Sequence, residues 1–239
     1  MAPVSFIQPS VPSALEHYPP GMSFGPKDLD RGLRATLWPA LKAHGFSQRT
    51  ERVAWRYAGD DVDVVELQAV GQSAEAVGCP PLSLSVHAAV YPRFLERTEA
   101  IPVRDGRLRP HYWHCHPFSR SLPKRVSQPW FRPFTGSRHR RTLPSLVAHR
   151  DALRTLVDRR VHDVPEIWYM RDDGTNLDEN LHDLTAVVLS DGLDFTEQFH
   201  DPGGILALIE NGSFVEPTSA LAYRLREAID AYVPEVDER

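Results

Sequence analysis

The chain has 239 residues, of which 41% are hydrophobic and 25% charged, so it is long enough to bury a core and ordinary enough in composition to be globular. No apolar run approaches the roughly 20 residues of a bilayer span, so no helical membrane span is expected, and two cysteines, Cys79 and Cys115, are too few for a disulfide framework. The formal net charge of −5 hides an asymmetry: residues 104–160 carry 14 Lys and Arg against three acids, leaving 13 basic and 29 acidic residues elsewhere.

The N-terminal stretch, residues 1–26, is proline-rich and reads as an extended arm. It has neither a basic n-region nor an apolar core, so the expectation is a cytoplasmic protein without a signal peptide. Leu29, Leu33, Leu37 and Leu41 recur every four residues and predict a helix over 27–44, ending at Gly45, with a kink or an irregular last turn caused by Pro39. Three strands are predicted next, in "RVAWRYAG", "DDVDVVELQAV" and "LSLSVHAAVYP". In the third, Leu82, Leu84, Val86, Ala88 and Val90 alternate with Ser83, Ser85, His87 and Ala89, the period of an antiparallel sheet with one covered face. "AGDD" is the turn between the first two strands.

Residues 91–142 mix proline, aromatics and arginine without a period and read mostly as loop. Helices follow in "LPSLVAHRDALRTLVDRR", in "NLDENLHDLTAVVLSDG" with Asn176 or Asp178 as N-cap and Gly192 as a stop, at about 195–199, and at 202–210. A last helix begins at Pro217 and is lined by Leu221, Leu225, Ile229 and Tyr232. The fold class expected is α+β: an N-terminal helix on an antiparallel sheet of three or more strands, with C-terminal helices. Leu33, Leu37, Leu41, Val64 or Val65, Leu84 and Val86 are expected to share one core. One α+β domain over 27–212 is expected, with the helix of 213–239 packed on it.

Several of these segments, taken in order, resemble the bacterial domain-of-unknown-function family 4304. The Gly45–Phe46 pair after the first helix, the aromatic strand that follows, the strand ending in Leu67–Gln68, and "LSLSVHAAVYP" are similar to its opening. "CHPFSRSL" resembles its later Cys or His segment, with Ser121 between Arg120 and Leu122. "EIWYM", with Trp168, resembles its tryptophan motif, and "DGLDFTEQFHDPGGILALIENG" its closing helical segment. The resemblance covers residues 28–212, with 136–161 standing out as a basic insertion. It implies a fold and a bacterial cytoplasmic setting, and no activity.

The densest chemistry is "HYWHCHPF", residues 111–118. Structural zinc wants two separated ligand pairs, and this is one compact group. His114 and His116 would share a face if the segment were a strand, with His87, Glu66 or His111 as a third ligand for a metal-dependent hydrolase. Cys115 lies between histidines that an extended chain would point away from it, which disfavours a Cys–His nucleophile. No phosphate loop, dinucleotide fingerprint or hydrolase motif is present. "MRDDGTNLDEN" fails the calcium-loop spacing, and "DPGGIL" reads as a helix cap.

The expectation is therefore a binding module of an accessory or immunity type, without catalytic residues, bound metal or cofactor. Another protein is its expected partner, with no membrane, and Gln68, His114, His116, Arg120 and Trp168 are its candidate contacts. Nucleic-acid binding is the alternative, through Lys124, Arg125, Arg138, Arg140 and Arg141 of the basic block, whose aromatic residues would stack on bases.

Overall fold

The computed structural model describes residues 24–69, 80, 82–95, 100–128, 164–171 and 173–237. The N-terminal arm up to residue 23, Cys79, the helix expected after residue 142, and Arg138, Arg140 and Arg141 lie outside the described residues.

The fold is α+β. Helix α1 (Pro26–Ala35) starts at Pro26, whose missing N–H would have been unsatisfied there anyway, and the Asp28 carboxylate accepts the Gly25 N–H at 3.1 Å. The single kinked helix expected over 27–44 is instead two. The backbone breaks at Thr36, and α2 (Leu37–Ala43) follows. Pro39 explains the position of the break. It cannot donate to the Ala35 carbonyl four residues back, but it is tolerated in the first turn of a new helix.

Strands β1 (Gln48–Arg49), β2 (Val53–Ala58), β3 (Asp61–Ala69), β4 (Leu84–Tyr91) and β7 (Ser119–Ser121) form an antiparallel sheet in the order β1-β2-β3-β4-β7. Gly59, at φ 63°, makes the tight β2–β3 turn, a conformation that a Cβ would oppose. Between β4 and β7 lie a small hairpin, β5 (Val103–Arg104) with β6 (Arg107–Leu108), and a single 3₁₀ turn, Tyr112–Cys115. Among its described residues, the stretch expected to be mostly loop thus contains three short strands.

One face of the sheet carries Ala54, Val65, Leu67, Leu84, Val86, Ala88 and Val90 against the helices. Leu29, Leu33, Leu37 and Leu41 pack here, as do residues of every C-terminal helix, down to Ile229. Val65, rather than Val64, is the β3 valine of this core. Val64 faces the other way, with Val53, Trp55, Val62, Ala89, Tyr91 and Cys115, in a second core. The sheet is therefore covered on both faces, not one. The run Val62, Val64, Val65 already carries that signal, because a strand buried on both sides loses its polar alternation.

Helix α3 (Leu177–Val187) does not stop at Gly192. It passes through a π turn, Val188–Gly192, into α4 (Leu193–Glu197). Gly192 serves close packing instead: a Cβ there would stand 3.1 Å from Leu122 and 3.7 Å from Ala88. Asp201 caps α5 (Pro202–Glu210), accepting from the Gly203 and Gly204 N–H groups. Helix α6 (Ala220–Asp237) starts three residues after Pro217, with the Ser219 hydroxyl accepting from the Ala222 N–H at 3.1 Å. No helix among the described residues is long and apolar enough to cross a membrane.

Candidate binding site

The second face of the sheet positions the histidine segment. Register sets Glu66 of β3 directly opposite His87 of β4, both pointing away from the helices. Two aromatic side chains of β2 hold the approach: Trp55 donates its indole N–H to the Pro110 carbonyl at 2.7 Å, and Tyr57 its hydroxyl to that of Leu108 at 3.0 Å. Glu66 then fixes the 3₁₀ turn. Its Oε2 meets His111 Nδ1 at 3.0 Å and accepts the Tyr112 N–H at 3.2 Å. The Tyr112 ring lies flat on His87, with centroids 4.0 Å apart. His87 also contacts the hydroxyls of Ser121 at 3.1 Å and Ser85 at 3.4 Å, and burial pushes it below the ordinary histidine range.

The turn itself decides what its residues can do. His114 Nδ1 accepts the His111 N–H at 2.8 Å, so its proton sits on Nε2. Cys115 is fully buried and donates to the His111 carbonyl, and burial together with the nearby Glu66 charge drives its thiol far above the usual range. A thiol held protonated and away from water is no nucleophile. Trp113 points outward, 48% exposed, stacked on His111 at 4.2 Å.

Trp113, His114 and His116 form one wall of a cleft of about 640 Å³ against helix α6. Its apolar lining includes Tyr91, Leu95, Ile101 and Leu225, and its charged groups are Arg224 and Glu227 of α6. His114 and His116 therefore do meet on one surface, although their segment is a 3₁₀ turn followed by irregular chain and not a strand. Among the described residues no three His, Cys, Asp or Glu side chains gather as metal ligands would. Glu66 is engaged by His111, and His87 by the Tyr112 ring. The volume is in the range of small-molecule pockets, about 300–1,000 Å³.

A second polar group lies on the helix-facing side, and nothing in the sequence signalled it. Asp63, fully buried, binds Arg56 Nε at 2.6 Å and His200 Nε2 at 2.7 Å. Glu197 closes the group, 2.6 Å from Arg56 and 3.5 Å from His200 Nδ1. The hydrogen bond to Asp63 raises the His200 pKa, with Glu197 and Asp61 adding to it against the opposing effect of burial. The groups satisfy one another and clamp α4 and the turn after it to the centre of the sheet.

The other residues singled out in the sequence are scattered. Gln68 is half-buried near the end of β3. Arg120 lies over the Phe195 ring on the helix side, 5.4 Å from its centroid. Trp168 is fully buried: it extends the sheet by pairing with Leu84, and its indole donates to Asp183 at 2.8 Å, so it is a packing anchor. Lys124 donates to the carbonyls of Val164 and Ile167, and Arg125 binds Asp191 at 2.7 Å. Sequence reasoning missed Arg224 and Glu227, because only the fold brings α6 to the histidine segment.

Comparison with protein-family models, with curated proteins and with solved structures finds no match for this chain.

Proposed function

We propose that this chain is a non-enzymatic binding module, bacterial and cytoplasmic, that receives a segment of a protein partner in the cleft between its histidine-bearing 3₁₀ turn and helix α6. The cleft carries this reading. Its apolar lining is rimmed by an exposed tryptophan, an arginine and a glutamate, and protein interfaces join an apolar centre to a polar edge, with Trp, Tyr and Arg supplying most of the affinity. Two further observations favour binding over catalysis. The Cys115 thiol is sealed and protonated, and the Asp63–His200 pair is enclosed by Arg56 and Glu197.

Ala228 lines the cleft from α6 and is half-buried. Ala228→Trp therefore fills it from a helix surface. Partners captured from a bacterial lysate by the wild type are purified and titrated by calorimetry against both forms. The expected result is a partner whose binding weakens at least about tenfold in Ala228→Trp and in Trp113→Ala, the size of one lost hot-spot contact, while both variants melt as the wild type does. A partner indifferent to both substitutions overturns the reading.

A further inference from the structure

The charge pattern of the cleft says more about its occupant. Arg224 and Glu227 are exposed, point into the same cleft, and have no ion-pair partner among the described residues. They lie three positions apart on α6, and residues so spaced share a helix face with Cβ atoms about 5–6 Å apart. The facing wall offers His114 and His116, and among the described residues no lysine, arginine, aspartate or glutamate lines the cleft besides Arg224 and Glu227. An occupant of one charge would satisfy one of them and oppose the other.

We infer that the segment seated in this cleft presents one anion to Arg224 and one cation to Glu227, followed by an apolar side chain for Tyr91, Leu95 and Ile101. The inference rests on the cleft being the binding site. In an extended segment, residues two apart face the same way and stand about 6.6 Å from each other, close to the roughly 5–6 Å between the two α6 Cβ atoms. An apolar residue two positions further on faces the same way again.

The order of the charges along the segment is the testable quantity. Five fluorescein-labelled, end-blocked pentapeptides serve as probes in polarisation titrations with the whole chain: Lys-Ser-Asp-Ser-Phe, Asp-Ser-Lys-Ser-Phe, Lys-Ser-Lys-Ser-Phe, Asp-Ser-Asp-Ser-Phe and Ser-Ser-Ser-Ser-Phe. One of the two mixed-charge orders should bind roughly three- to tenfold tighter than the other four, the reach of two partly exposed ion pairs. Arg224→Glu and Glu227→Lys, both at exposed helix positions, should each abolish that preference. The double reversal Arg224→Glu, Glu227→Lys should transfer it to the opposite order.

The inference falls if mixed-charge probes bind no better than like-charged ones, or if the double reversal leaves the preferred order unchanged. If all five probes bind equally and Ala228→Trp abolishes binding, the charge inference fails and the cleft survives. If no probe binds, or binding ignores Ala228→Trp, the cleft reading fails and takes the inference with it.

Discussion

Asp63 and Glu66 stand three positions apart on β3, face opposite sides of the sheet, and are both buried. Each needs a partner, because an unpaired buried carboxylate costs several kcal/mol or more. Glu66 is met by an imidazole and a backbone N–H and so fixes the 3₁₀ turn that forms one cleft wall. Asp63 is met by Arg56 and His200, with Glu197 behind them and Asp61 further along β3. Because the folded state raises the His200 pKa, it favours the imidazolium. That contribution is complete below the unfolded value near 6.5 and is lost as pH rises through the higher folded value. Wild-type stability should therefore decline on the alkaline side of about pH 6.5, whereas His200→Gln should lose that part of the decline. Melting temperatures of both forms between about pH 5.5 and 9 test this. A wild type that gains stability relative to His200→Gln across that window would contradict it.

At the scale of elements, α1 approaches α3 through Gly32. A Cβ at that position would lie 2.5 Å from Leu181 Cδ1 and 3.4 Å from Leu177, and both leucines are buried. Gly32→Ala would gain up to about 1 kcal/mol of helix propensity but would overpack this contact by about 1–3 kcal/mol. The expected net is a loss of roughly 1 kcal/mol in chemical denaturation. An equally stable variant would mean that the two helices are not in this close contact. The leucine stripe of these helices was readable beforehand because burial repeats with the helical period, and β2, β3 and β4 because theirs repeats every second residue. Strands β5, β6 and β7 were not, since two or three residues hold no period and are set by the strands they meet. Gly192 misled for a related reason. A glycine inside a helical pattern can mark an end or a close approach, and only Leu122 and Ala88 on the sheet decide which. The His200–Asp63 contact joins residues 137 positions apart, beyond any local signal. The charged half of the cleft was hidden likewise, for Arg224 and Glu227 alone read as the solvated face of an amphipathic helix.

For the molecule as a whole, the open quantity is where the basic block spends its charge. Its described members are engaged within the fold. Arg107 lies over Tyr57, Arg109 over Trp55 with a hydrogen bond to Gln48, and Arg120 over Phe195. Lys124 caps two carbonyls. Arg125 binds Asp191, and its backbone N–H donates to Asp183, two acids from outside the block. Among the described residues Arg104, 72% exposed, reaches only Asp105, at 4.0 Å. Cations committed to carbonyls, aromatic faces and carboxylates are poorly placed to exchange those contacts for phosphates. Meanwhile the acidic excess of the remaining chain repels a polyanion at longer range. A protein-facing or intramolecular role then predicts weak, non-saturating binding of a single-stranded oligonucleotide. Phosphate contacts would show themselves by salt: each one neutralised on a single strand steepens the fall of log K with log salt by about 0.7. Polarisation titrations of a labelled oligonucleotide between about 50 and 200 mM salt measure that slope. The expected outcome is no saturable binding even at the lower salt, and no change when Arg138, Arg140 and Arg141 are all replaced by glutamate. Tight binding that drops steeply with salt and vanishes in the triple variant would move the function of this chain from the cleft to the basic block.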